Sequence, residues 1–117
     1  MRCPRASIHA TAAAIAAVAL AGCEDGGDPT GSDPVARGRA VYMNVCIACH
    51  NGNPNEDGAV GPAIAGSSLE LIEAKVLRSE YPEGYEPKRP SLIMPKLAFL
   101  EPKIPDLAAF LAAAKQQ

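Results

Sequence analysis

The stretch VCIACHNGNP, Val45 to Pro54, sets Cys46 and Cys49 two residues apart and His50 directly after the second cysteine. Thiols and an imidazole are the strongest metal-binding and bond-forming side chains a protein has, and three of them fall here within five residues. The residues before them read as a helix. Asp33 is a good N-cap and Pro34 suits the first helical position. Val35, Gly38, Val41, Tyr42 and Val45 recur at three- and four-residue steps, which marks one helical face. Cys46 and Cys49 continue near the C-terminal end, about one turn apart, so their sulfurs lie on one side. Beyond the motif, Asn51 to Pro62 is dense in Gly, Asn and Pro and reads as a loop.

A second helix is expected from Ser68 to about Glu80, with Ser67 and Glu70 at capping-box spacing. Leu69, Ile72, Val76 and Leu77 form its apolar stripe, and Glu70, Glu73 and Glu80 its wet face. The next stretch, Tyr81 to Pro105, contains prolines at 82, 87, 90, 95, 102 and 105. It cannot be continuous helix or central strand. It is expected as a long stiffened loop with a short turn around Pro95 to Phe99. Leu92, Ile93, Met94, Leu97, Phe99 and Leu100 argue that this loop is packed. The last helix is expected over Pro105 to Lys115, with a start near Pro102 left open, and with Leu107, Phe110, Leu111 and Ala114 as its stripe. No stretch sustains strand alternation, so the fold class is all-α: three to four helices with a long proline-rich loop.

Residues 1–22 have the pattern of an export signal. Arg2 and Arg5 precede an apolar run, Ala10 to Gly22, shorter than the roughly 20 residues of a membrane span. The run ends in LAGC, Leu20 to Cys23. Removing residues 1–22 takes away Arg2 and Arg5, two of the 11 basic residues, and none of the 13 acids, which moves the formal charge from -2 to -4. No basic field suggests nucleic acid. Residues 23–33 are largely Gly, Asp, Pro, Ser and Thr without an apolar anchor and read as a tether. Residues 34–117 are the folded domain. A core of that size supplies only about 3–5 kcal/mol on its own, so a staple is expected.

C-x-x-C-H is the attachment signature of c-type haem. Two vinyl groups on the haem edge each take one thiol as a thioether, and the adjacent histidine swings its imidazole under the iron. Ile47 and Ala48 are free to vary. Three other readings compete. Structural zinc wants about four protein ligands, and beyond Cys23 the mature chain offers Cys46, Cys49 and His50. A thioredoxin-type pair wants a βαβ setting. A structural disulfide suits any exported protein. Haem suits both the export signal and the small core.

With the motif placed, the chain resembles a class I mono-haem cytochrome c over about Pro34 to Lys115. The elements that carry the resemblance are the helix that runs from Gly38 through AVYMNV into CIACH, then VGPAIAG (Val60 to Gly66), then IMP (Ile93 to Pro95), then DLAAFL in the last helix. LAGC resembles a bacterial lipobox, which implies diacylglycerol on Cys23 and cleavage before it. The resemblance implies one haem c bound through Cys46 and Cys49. It makes His50 the proximal iron ligand, with its second ring nitrogen on the Pro62 carbonyl. Met94 is the expected sixth ligand, since His–Met ligation is common in cytochromes c; Met43 is expected to fill core. Gly38 is expected to let the first and last helices approach, with Phe110 beside them. Tyr81, Tyr85, Lys88 and Arg89 are candidates for the haem propionates or, equally, for a solvated loop. Pro105 and the charged loop from Arg78 to Ser91 depart from the family pattern.

The implied function is one-electron transfer rather than enzymatic catalysis. The partners would be redox proteins, with no nucleic acid and no small-molecule substrate. The protein would be exported and lipid-anchored to a bacterial membrane, on the periplasmic side or the cell surface. The alternatives are a dedicated haem subunit of a larger oxidoreductase and a sensor or peroxidase-like protein with an open iron.

Cys23→Ala is expected to release the protein from the membrane while leaving the Cys46–His50 motif untouched. Detergent phase partitioning of wild type and variant measures this. If both stay in the aqueous phase, the lipid anchor is absent.

Overall fold

The computed structural model describes residues 33–90 and 93–117. The expected export signal, the expected lipid site Cys23, most of the expected tether, and Ser91 and Leu92 lie outside the described residues. Three α-helices and no strand occur among the described residues, in agreement with the all-α expectation.

Helix α1 spans Pro34–Val45. Asp33 caps it in extended conformation, and its carboxylate accepts from Val35 N at 3.0 Å and Ala36 N at 3.3 Å. A 3₁₀ turn, Cys46–Ala48, comes directly after it and tightens the chain ahead of His50. Helix α2 is short, Leu69–Glu73, and passes into a π-type turn over Ala74–Arg78. Helix α3 spans Ile104–Ala114 and is entered through a 3₁₀ segment, Ala98–Lys103.

The second helix differs from its sequence expectation in two ways. Its N-cap is Ser68, not Ser67. Ser68 is extended and accepts from Leu71 N at 3.2 Å, whereas the Ser67 hydroxyl donates to Ile64 O at 2.7 Å. With two adjacent serines, spacing alone does not choose between them. The buried stripe is Ile72, Ala74 and Val76, while Leu69 is exposed. The widened turn after Glu73 shifts the register of the face that meets the core.

The proline-rich segment is packed at Leu100 and half-packed at Met94 and Leu97, but Ile93 and Phe99 are 70% and 67% exposed. The last helix is joined to a 3₁₀ run that begins at Ala98, earlier than proline placement suggests. Pro102 sits inside that run, and Pro105 occupies the first turn of α3, where a missing N–H costs nothing.

Tyr42, Ile72, Val76, Leu100, Ile104, Leu107 and Leu111 form the core cluster, with Met43 and Phe110 packed against it. The tightest contact is between α1 and α3. A Cβ on Gly38 would overlap the Asp106 carbonyl oxygen and stand 2.8 Å from Phe110 Cβ. Only a residue without a side chain lets these backbones meet. The Tyr42 and Phe110 rings then pack at 5.3 Å, tilted by 50°. One further contact locks the crossing. Arg37 grips Asp106 with both arms, Nε to Oδ2 at 2.9 Å and Nη2 to Oδ1 at 2.6 Å. A bidentate fork of this kind fixes angle as well as distance.

The hydrogen bonds from Arg37, more than its charge, hold the Asp106 carboxyl below its ordinary range. A depressed carboxyl contributes stability that is fully present above its unfolded value, about 3.9, and lost as pH falls through the folded value. Asp106→Asn removes that contribution at every pH. The melting temperature of wild type should exceed that of Asp106→Asn by a constant margin above about pH 5, and the margin should shrink below about pH 4. A margin that does not change with pH would mean that the ion pair does not stabilise the crossing.

Candidate haem-attachment site

The site is assembled where α1 ends. Cys46 N–H closes the helix on Tyr42 O, and His50 N–H then bonds Cys46 O at 2.9 Å. This compact turn carries both thiols and the imidazole. The Tyr42 ring is fully buried beneath it, and the hydroxyl donates to Asn51 O at 2.6 Å. Burial pushes the Tyr42 phenol up to about 12, so it stays a donor. Tyr42 therefore fixes the chain just beyond His50. Residue spacing places it only on a helical face; the further signal is a tyrosine at a core position, where the hydroxyl needs a partner.

The loop after the motif folds back onto it. Gly61 N–H donates to Cys49 O at 2.9 Å, and Gly58 N–H to Gly61 O at 2.9 Å. These bonds bring Pro62 O to 2.9 Å from His50 Nδ1. A carbonyl only accepts, so Nδ1 carries the proton and Nε2 keeps its lone pair. No hydrogen bond to Nε2 occurs among the described residues. Gly61 lies against the imidazole: a Cβ there would collide with Cε1 and stand 2.5 Å from Nδ1 and 2.8 Å from Nε2.

Cys46 and Cys49 are free thiols, both half-buried. Burial pushes the Cys46 thiol up to about 11. A redox-active pair needs the opposite shift, toward thiolate, and the thioredoxin setting is missing because no strand occurs among the described residues. The disulfide reading is likewise not what the two free thiols display. For a bare metal ion, no cluster of three His, Cys, Asp or Glu side chains converges among the described residues. The donor set that does stand ready is two unpaired thiols beside an imidazole with one oriented, unshared nitrogen. That set fits covalent haem.

Met94 arrives from a separate segment. Leu97 N–H donates to Val76 O at 2.7 Å, and the Ser79 hydroxyl donates to Met94 O at 2.5 Å. Both bonds pin the Met94 stretch to the end of the α2 unit. Ser79 is left-handed, φ 58°, and is the one non-glycine with positive φ among the described residues. That conformation costs a residue with a Cβ about 1–2 kcal/mol. Here it aims the hydroxyl at the Met94 backbone. Met94 and Cys46 both pack against the same core, from distant parts of the chain.

Lys88 and Arg89 have a use that sequence reasoning misses. Lys88 Nζ donates to Ala63 O at 2.7 Å, and Arg89 donates to Val60 O at 2.9 Å and Gly58 O at 3.3 Å. Arg89 also pairs with Asp57 at 3.4 Å. The Asp57 carboxylate in turn accepts from Ala63 N at 2.7 Å, the main reason its pKa is lowered. The two cations thus clamp the loop that presents Pro62 to His50. Nothing in residue spacing foretells bonds across 25 to 31 positions.

Residues 35–115 match the family model of cytochrome c. No curated protein and no solved structure matches the chain. The chain belongs to the cytochrome c family, whose members carry covalent haem c and commonly transfer electrons.

Gly61→Ala should lower both the yield of haem-bearing protein and its melting temperature, because the new methyl must displace the imidazole or the loop. Gly52→Ala is the control, since nothing lies within 4 Å of a Cβ at that position. Equal yields and melting temperatures for the two variants would show that the loop does not brace His50.

Proposed function

We propose that this protein is a one-electron carrier with a single haem c, held through Cys46 and Cys49, ligated by His50 and Met94, and anchored by lipid on Cys23 at the outer side of a bacterial membrane. The observation that carries the proposal is the orientation of His50, whose protonated Nδ1 points at Pro62 O and whose Nε2 is left unshared beside two free thiols.

When bound, the haem supplies the one-electron couple; the chain supplies orientation, burial and charge. Cys46 and Cys49 tether the group so that it cannot dissociate in an exported protein. The Pro62 carbonyl fixes the imidazole tautomer and raises the basicity of the ligating nitrogen. The Lys88–Arg89 clamp holds that carbonyl in place. On the other side, the Ser79 and Val76 bonds restrict the backbone around Met94. A methionine delivered by a pinned backbone would stay in place in both oxidation states, and methionine ligation raises the potential. With both axial positions filled by side chains there would be no open position for oxygen or peroxide, which favours a carrier over a sensor or peroxidase. Redox proteins would be its donors and acceptors. Lipid on Cys23 would keep it beside the membrane that holds them.

Met94→Ala should retain covalent haem, lower the reduction potential, and bind carbon monoxide or cyanide readily. Met43→Leu should change none of these, because Met43 packs against the core from α1 and the swap conserves volume, at a cost under about 1.5 kcal/mol. If Met94→Ala keeps the wild-type spectrum, potential and ligand binding, the sixth ligand lies elsewhere, with Lys96 the next candidate. Copurification of the native protein at fixed stoichiometry with larger polypeptides would instead favour a dedicated subunit.

A further inference from the structure

The peptide group between Pro62 and Ala63 is bonded at both ends. Its carbonyl oxygen, Pro62 O, accepts from His50 Nδ1–H at 2.9 Å. Its N–H, on Ala63, donates to Asp57 Oδ1 at 2.7 Å. The other carboxylate oxygen, Asp57 Oδ2, stands 3.4 Å from Arg89 Nη2. An unbroken line of bonds therefore runs from the imidazole, through one peptide, to a carboxylate. A peptide is conjugated from nitrogen to oxygen. A carboxylate that accepts from its N–H pushes electron density onto its oxygen, and hydrogen bonds in series strengthen one another. Pro62 O is then a stronger acceptor for the imidazole N–H than a lone carbonyl would be.

The surrounding bonds hold this line in register. Gly61 N–H donates to Cys49 O and Gly58 N–H to Gly61 O, both at 2.9 Å. Lys88 holds Ala63 O, and Arg89 holds Val60 O and Gly58 O. The Ala63 N–H, more than Arg89, keeps the Asp57 carboxyl below its ordinary range, so the ionised form is the one bonded to the peptide. The Asp57 side chain is 64% exposed. Water and salt screen an exposed charge that acts through space, which leaves the bonded path as its main route to His50. Glu56 carries the same charge one residue earlier but bonds Asn51 and Asn53 instead.

We infer that Asp57 is a positioning residue for the iron ligand: acting through the Pro62–Ala63 peptide, it strengthens the bond at His50 Nδ1 and makes Nε2 a more basic donor. The inference deepens the haem reading above and rests on it. A more basic imidazole favours ferric over ferrous iron, and bonding behind the ligand is one of the levers a protein has on potential. Asp57 thus holds the reduction potential down, and Arg89, by drawing on Oδ2, moderates it.

The experiment uses the haem-bearing full chain labelled with ¹⁵N-histidine. If wild type shows no covalent haem on a denaturing gel, the haem reading fails and takes this inference with it; the later results bear on Asp57 alone. Asp57→Asn removes the charge but keeps an acceptor for Ala63 N–H. It should raise the reduction potential and move the His50 Nδ1 proton of the ferrous protein upfield. Glu56→Gln, the through-space control, should raise the potential by about half as much or less, since its charge is screened, and leave the Nδ1 proton in place. Arg89→Gln should move both readouts the opposite way to Asp57→Asn, because the carboxylate is then left to the peptide. A clamp that merely stiffens the loop would move them the same way in both variants, and that result overturns the proposal. An unmoved Nδ1 proton in Asp57→Asn, or equal potential shifts in Asp57→Asn and Glu56→Gln, also overturns it. Wild type answers without any variant: scalar coupling across the bond from Ala63 N to the Asp57 carboxyl carbon supports the relay, and its absence overturns it.

Discussion

The domain depends on the place where Gly38 meets the Asp106 carbonyl. Because no side chain intervenes, α1 and α3 cross backbone against backbone, and every other contact inherits that geometry. The Arg37–Asp106 fork holds the crossing from its edge, and the Tyr42–Phe110 pair holds it one turn further on. Tyr42 passes the constraint to the site, since its ring is locked in the core and its hydroxyl holds the residue after His50. The position of the imidazole is thus set by a helix crossing rather than by the loop alone.

The loop adds the direction of the imidazole. Cys49 O receives Gly61 N–H, and Pro62 O lies 2.9 Å from His50 Nδ1, so the attachment turn and its brace are bonded in both directions. Cations from a segment about 30 residues later close this brace from outside. A small domain gains rigidity this way without a larger core, because backbone carbonyls that would otherwise face water become anchor points. The arrangement places polar bonds on the His50 side and leaves Met94 to a different unit, the turn after α2.

Much of this is legible in the sequence. Asp33–Pro34 fixes where α1 starts, the three- and four-residue spacing picks out Gly38 and Tyr42 on its face, and C-x-x-C-H marks the site outright. Other parts are not legible, for physical reasons. A helix period puts Leu69 on the face of Ile72, but Leu69 is the first residue of α2 and stands exposed where Ile72 is buried. Hydrophobicity alone puts Ile93 and Phe99 in the packed loop, but both stand exposed in the polypeptide. The bonds of Lys88 and Arg89 to distant carbonyls have no periodicity at all. Asp106 looks like an ordinary first-turn acid; its partner Arg37 lies 69 residues away and only the helix crossing unites them.

The conformationally costly positions gather on one unit. Ser79 adopts a left-handed conformation that disfavours any residue with a Cβ, the preceding turn abandons α-helical spacing, and Lys75 is sealed without an acceptor. Each alone is a local cost to an isolated polypeptide. They cluster on the segment whose bonds fix the Met94 backbone, far along the chain from the attachment motif. Wide turns of this type recur at functional sites, and strain persists where surrounding structure over-determines it. Here the Ser79–Met94 and Val76–Leu97 bonds supply that over-determination. A core folded for its own stability alone would relax these features; a segment that holds the backbone around Met94 has reason to keep them.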